Sequence, residues 1–239
     1  MPRRALAIAA LIALTGAGAT ASAQTPQNIG VAATVVNRMA GTVSSQQRSI
    51  GSGDQVFADE VVETGHDAKG QLLFLDETSL TVGPDSRLTL DKFVFDPNSS
   101  VAKVSMTAVR GVFRFISGSL PKQAYEIKTP AGVVGVRGTI FDLIVEADGT
   151  VHLRLVEGSL VYLPLNGQQV VHSGIGRVLV VGKDGSNQFH NGLDARETAL
   201  LAPILDLAGH GGGQIVPPTR PDELREQLRE NNRPTPNND

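Results

Sequence analysis

Three features of this 239-residue chain predict an all-β fold. Apolar and polar residues alternate in short runs, which is the periodicity of strands. Clusters of Gly, Pro, Asp, Asn and Ser interrupt those runs roughly every eight to twelve residues. No long helical periodicity appears before residue 194. The architecture expected is many short strands in a twisted solenoid-like or sandwich β domain, with a short C-terminal helix and a disordered tail.

The chain opens Met1-Pro2-Arg3-Arg4, runs apolar through residues 5–14, and reaches Ala21-Ser22-Ala23 before Gln24. A basic start, a short apolar core and an Ala-x-Ala site read as a signal peptide over residues 1–23, cleaved after Ala23. The apolar run is shorter than the ~20 residues a membrane-spanning helix needs. Extended runs then follow at residues 31–37, 42–46, 56–64 and 71–75, with turn clusters at 51–54 and 65–70. Leu80 and Val82, then Leu88 and Leu90, start two further runs. Val104 and Met106 share one strand face, and 109–116 reads as a separate strand. Residues 123–128 point Tyr125 and Ile127 inward. Phe141, Leu143 and Val145 line one face of the next strand. Asp148-Gly149 is a hairpin signal, and Val151, Leu153 and Leu155 return from it with His152 and Arg154 facing out. Strands at 159–163, 168–172 and 177–181 complete the β domain, expected over residues 28–183. Residues 184–216 read as a helical or flexible extension. Asp194 is its N-cap, and Leu200, Leu201, Ile204 and Leu205 are the apolar side. Pro203 is expected to kink or shorten that helix. The Pro- and Asn-rich residues 217–239 read as a disordered tail.

One stretch is denser in constraint than the rest. Thr129-Pro130 is followed by glycines at 132, 135 and 138, and Arg137 is the lone charge between Lys128 and Asp142. Glycine recurring there implies positive φ or a backbone packed too closely for a Cβ. A guanidinium among apolar and glycine residues implies a carboxylate partner, with Asp142, Asp76 and Glu157 as candidates, or backbone carbonyls. Its two readings are a structural arginine that locks a turn and a recognition residue for a peptide or anion.

Thr129-Pro130 with Gly135-Val136-Arg137-Gly138-Thr139-Ile140-Phe141 resembles the signature of the FecR-type domain, named after the ferric citrate regulator. The blocks around Gly53-Asp54, Glu63-Thr64-Gly65, Asp76-Glu77-Thr78 and Glu157-Gly158 stand in the order of that family, over about residues 31–163. The resemblance implies an extracytoplasmic domain used in envelope signalling, with Thr129, Pro130, Gly135, Arg137, Gly138 and Thr139 serving fold integrity before contact. The founding family relays receptor occupancy to a sigma factor from outside the inner membrane. This chain lacks the cytoplasmic segment that precedes the apolar stretch in that plan.

Composition narrows the function classes. Formal charge is −3, and −5 once Arg3 and Arg4 are removed (19 basic, 24 acidic), a poor match to nucleic acid, whose phosphates need a basic surface. There is no cysteine, so disulfides, thiolate metal sites and cysteine nucleophiles are excluded. The five histidines are not at metal-ligand spacing, no Gly-x-Ser-x-Gly occurs, and no carboxylate pair is singled out. No catalytic, cofactor-binding or metal-ligating residue is therefore assigned. The leading expectation is a non-enzymatic periplasmic or secreted module that binds another envelope protein, with no transmembrane segment in the mature chain. The alternatives are an envelope scaffold and a secreted glycan-binding or hydrolytic protein. If Arg137 is structural, Arg137→Ala lowers stability by a few kcal/mol. A thermal melt identical to wild type would leave the recognition reading.

Overall fold

The computed structural model describes residues 25–94, 103–121, 123–136 and 138–207. Its strands form two facing layers, and the chain steps repeatedly between them. β1 (Asn28–Val36) lies in the first layer, and the hairpin of β2 (Met39–Val43) and β3 (Gln46–Ile50) in the second. β4 (Gln55–Phe57) returns to the first layer and β5 (Glu60–Thr64) to the second. β6 (Lys69–Phe74) and β7 (Ser79–Val82) follow in the first, and β8 (Arg87–Val94) in the second. β9 (Lys103–Ile116) belongs to both.

After β9 the chain advances by whole hairpins. β10 (Tyr125–Thr129) and β11 (Gly132–Val136) join the second layer, and β12 (Ile140–Val145) and β13 (Val151–Glu157) the first. β14 (Leu160–Pro164) and β15 (Val170–His172) return to the second, and β16 (Arg177–Val181) and β17 (Asn187–Asn191) to the first. The first layer therefore reads β4-β1-β6-β7-β9-β12-β13-β16-β17. The second reads β3-β2-β5-β8-β9-β10-β11-β14-β15. All these pairings are antiparallel except β9 with β10. The result is a sandwich built by a solenoid-like zigzag, as expected.

β9 holds the layers together. Its first half pairs with β8 and β10, and its second half, from Gly111, with β7 and β12. The bend between them falls at Gly111, which has φ 113°. A Cβ there would sit 2.1 Å from Ser86 Oγ and 2.5 Å from Ser86 Cα. Ser86 Oγ accepts the Val112 N–H at 3.1 Å. Glycine is thus required for both conformation and space.

Between the layers, inward residues interdigitate as alternation requires. Phe74 of the first layer stacks on Phe93 of the second at 6.0 Å. Phe115 packs on Phe141 at 5.4 Å and edge-on to Tyr125 at 5.7 Å. Each such fully buried side chain contributes about 1.5–3 kcal/mol over an exposed one. Two buried carboxylates are paired. Glu60, fully buried, accepts from Arg48 Nε at 2.8 Å, Arg48 Nη2 at 3.1 Å and the Phe57 N–H at 2.9 Å. Asp142, also buried, lies between Arg114 (2.7 and 3.1 Å) and Arg154 (3.3 Å) on the two neighbouring strands.

The helix α1 (Ala195–Leu207) packs on the outer face of the first layer. Asp194 caps it as expected: its Oδ1 accepts the Glu197 N–H at 2.7 Å, and Glu197 Oε2 accepts the Asp194 N–H at 3.0 Å. This is a reciprocal capping box. Leu201 and Ile204 pack on Val112 and Ile144. Pro203 does not shorten the helix, which runs on to Leu207; the Pro203 carbonyl accepts Lys69 Nζ at 3.0 Å.

Several strand boundaries differ from expectation. Residues 42–46 are not one strand but the tip of the β2–β3 hairpin, where Ser44 and Ser45 take φ 50° and 64°. The run 56–64 breaks at Asp59, φ 61°, where the chain changes layer. Short polar side chains tolerate this conformation and leave no glycine signal. In the other direction, 109–116 is not a separate strand, because β9 continues through it. The expected signal peptide (1–23) and tail (217–239) lie outside the described residues. Among the described residues, no helix is long and apolar enough to cross a membrane.

Gly111→Ala is expected to lower stability by about 3 kcal/mol, from positive φ and collision with Ser86 together. Urea unfolding measures this, and a wild-type midpoint would show that the bend does not depend on glycine.

Candidate functional site

The dense stretch singled out in the sequence is a hairpin turn followed by a change of layer. β10 and β11 pair with Thr129 opposite Gly132, around Pro130 and Ala131. Thr129 Oγ1 donates to the Gly132 carbonyl at 2.8 Å and accepts the Gly132 N–H at 3.2 Å. The Tyr162 hydroxyl, 3.1 Å away and fully buried, therefore donates to Thr129. Burial pushes the Tyr162 hydroxyl above its ordinary range. Thr129 thus fastens the turn to β14. A Cβ on Gly132 would lie 2.4 Å from the Leu163 carbonyl oxygen, so glycine there reflects close approach.

Past β11 the chain crosses to the first layer. Gly138 takes φ 68°. Thr139 exchanges backbone-anchored hydrogen bonds with Ser117: its N–H donates to Ser117 Oγ at 3.0 Å, and its carbonyl accepts the Ser117 N–H at 3.1 Å. Gly158 packs so closely that a Cβ on it would be 2.1 Å from the Gly138 carbonyl oxygen. Arg137 lies outside the described residues. Of the carboxylates named as its candidate partners, Asp142 is held by Arg114 and Arg154. Asp76 accepts from Thr78 Oγ1 at 2.7 Å and Tyr125 OH at 2.8 Å. Glu157 is exposed at the end of β13. Burial, followed by the charge of Asp76, pushes Tyr125 up to about 12.

Gly135 departs from the expectation for its neighbours. It has neither positive φ nor a crowded α-carbon: a Cβ would meet the Val161 carbonyl oxygen at 3.7 Å, an ordinary contact. Its place is on the outer face of the second layer, opposite Val161 of β14. That face is apolar. Val133 lies opposite Leu163, and Val161 opposite Val171. Leu163 is 52% exposed, Val171 62% and Leu165, just beyond β14, 65%. Among the described residues β15 pairs only with β14, so an apolar face meets a free strand edge. Apolar surface gathered in this way marks interaction sites, and a free edge can accept an added strand. The signal was present in Val161-Tyr162-Leu163-Pro164-Leu165, a strand apolar on both faces, but which face stays uncovered is a matter of tertiary structure.

Beneath the edge, His172 of β15 is buried. Its Nε2 donates to the Arg177 carbonyl at 3.1 Å, and its ring meets Phe189 edge-on at 5.0 Å. Nδ1 is buried without a partner, as suits a neutral imidazole. Burial holds the His172 pKa below its ordinary 6.5. A second histidine group was missed in the sequence. His152 and His190 both reach Glu197 of α1, at 2.8 and 3.1 Å. Among the described residues, no group of three or more His, Asp or Glu is arranged to hold a metal ion.

The FecR protein family model matches residues 60–161, from the start of β5 into β14. The resemblance first read from the Thr129–Phe141 motif therefore holds across these residues. Two crystal structures of a proposed anti-sigma factor from Parabacteroides distasonis ATCC 8503 are similar at 15% and 14% identity, with TM-scores of 0.45 and 0.46. The alignments cover 58% and 63% of this chain, and 62% and 71% of theirs. None of the curated proteins matches the chain.

The depressed pKa of His172 sets a sign for pH. The unfolded chain takes the proton more readily, so this contribution to stability is full above about pH 6.5 and is lost as pH falls below it. Thermal melts at pH 7 and pH 5 should show a smaller drop for His172→Gln than for wild type. Equal drops would remove His172 as the cause.

Proposed function

We propose that this chain, with its FecR-type domain over residues 60–161, is a non-enzymatic regulatory module that binds another protein of the cell envelope. The observation that carries the reading is the apolar outer face of β11, β14 and β15 beside a free edge. Leu163, Leu165 and Val171 are each more than half exposed there. A partner that lays an extended segment along β15 would gain main-chain hydrogen bonds and cover those side chains.

The family match supports a role in regulatory signalling. The proposed location is periplasmic or secreted, through cleavage after Ala23. The proposed organisation is a signal peptide (1–23), a β domain (28–183), an extension (184–216) and a tail (217–239). Thr129, Pro130, Gly138 and Thr139 act in this reading as the frame that sets β11 against β14. Gly135 keeps the contact face flat, and Arg137 belongs to the same motif in a structural or contact role.

The test is cross-linking capture in cells of the source organism, using a tagged chain of residues 24–239, followed by affinity measurement with the purified partner. Wild type is compared with Leu163→Lys/Val171→Lys and with a chain ending before Pro217. The double variant should fold like wild type, because both side chains are exposed, and should bind at least a hundredfold more weakly. Undiminished binding by a folded double variant would overturn this surface. Loss of binding only on truncation would move the contact to the tail.

A further inference from the structure

Among the described residues the outer faces of the two layers are treated differently: nothing covers that of the second layer around β14 and β15, and α1 covers part of the first. The apolar seat of α1 is small, centred on Leu201 and Ile204 against Val112 and Ile144. The rest of the contact is polar and centres on His152 of β13. Its Nδ1 lies 2.8 Å from Glu197 Oε1 on α1, and its Nε2 lies 2.9 Å from Glu146 Oε1 at the end of β12. Both carboxylates are largely buried, Glu197 at 2% and Glu146 at 13% side-chain exposure.

Proton counting fixes the charge state this geometry needs. A neutral imidazole has one N–H and one lone pair. A carboxylate has no proton to offer. With both ring nitrogens at hydrogen-bond distance from carboxylate oxygens, the neutral ring would set a lone pair against a lone pair. Only the imidazolium donates to both. Glu197 is not available as a protonated acid without cost, since its Oε2 accepts the Asp194 N–H in the capping box and an anion there is favoured by the helix N-terminus.

We infer that α1 is a pH-controlled latch on the first layer, closed by the imidazolium of His152 between Glu146 and Glu197. The surrounding charges are consistent with this. His190 of β17 gives Glu197 Oε1 a second histidine contact at 3.1 Å. Arg196 of α1 pairs with Glu146 Oε2 from the solvent side. Arg154, beside His152 on β13, is committed to Asp142, which Arg114 of β9 also holds. Among the described residues the two carboxylates are thus faced by His152, His190 and Arg196, of which only the arginine is a permanent cation. Deprotonation of the ring removes the one proton that joins α1 to β12 and β13 at once. The latch is closed at low pH and loosens as pH rises. Loosening uncovers Val112, Ile144 and the Asp142 rung, independently of the surface proposed on the other layer.

Hydrogen exchange on the purified chain, corrected for intrinsic rates, tests this at pH 5.5 and pH 8.5. In wild type the α1 amides should open at least tenfold more often at pH 8.5, while β12 and β13 stay protected. His152→Gln should show the looser behaviour at both values. His152→Arg supplies a permanent cation with donors for both carboxylates and should stay closed at both. Wild-type protection independent of pH would overturn the inference. So would a pH difference that survives in either variant.

Discussion

A single strand serving two layers is the constraint on which the architecture depends. β9 pairs on both sides in the second layer, bends at Gly111, and pairs on both sides in the first. A sandwich whose layers meet only through side chains can slide; one with a shared strand has its register fixed covalently. The bend requires a residue with φ 113° and no Cβ, packed on Ser86. Ser86 in turn anchors the turn between β7 and β8, the strands beside β9 in either layer. Beyond the bend, Phe113 and Phe115 enter the core, where Phe115 packs on Phe141 and Tyr125.

Two buried carboxylates are each answered by arginine within the same layer. Arg48 is two strands from Glu60, across β2, and Gly41 between them leaves room for the carboxylate; a Cβ at Gly41 would sit 2.0 Å from Glu60 Oε1. Asp142 is flanked by arginines directly opposite it on β9 and β13. An uncompensated carboxylate at either place would cost several kcal/mol, so these pairs define register more than they add stability. His172 is the opposite solution, a buried ring kept neutral. The polar set under α1 is a third, in which two carboxylates share protons with two histidines from different strands.

Much of this was legible in the residues. Alternation placed Tyr125, Ile127, Phe141, Leu143 and Val145 inward, and Asp194 announced the helix. The Thr129–Thr139 motif was recognisable, but its glycines looked alike in sequence and differ in cause. Gly132 is set by close approach, Gly138 by its positive φ, and Gly135 by neither. That distinction depends on what β14 brings alongside. The turns at Ser44-Ser45 and Asp59 gave little warning, since no glycine or proline marks them. The continuity of β9 was hidden because its bend exchanges inward and outward faces midway, which reads as two strands. His152 and His190 stand far apart in sequence and meet only because β13, β16 and β17 are neighbours. No spacing rule anticipates such a meeting.

The alternation of hairpins after β9 also bears on how the molecule assembles. The pairing of β1 with β6 joins residues 33 to 44 apart and is costly in chain entropy. Beyond β9 each step lays a hairpin, closed locally, on an edge already in place: β14 on β11 and β16 on β13, across 24 to 32 residues, much the span of β5 with β8. The added hairpins repeat one step, as the units of a repeat array do. The number of terminal hairpins is then free to vary between related chains, because each addition leaves the completed rungs before it unchanged.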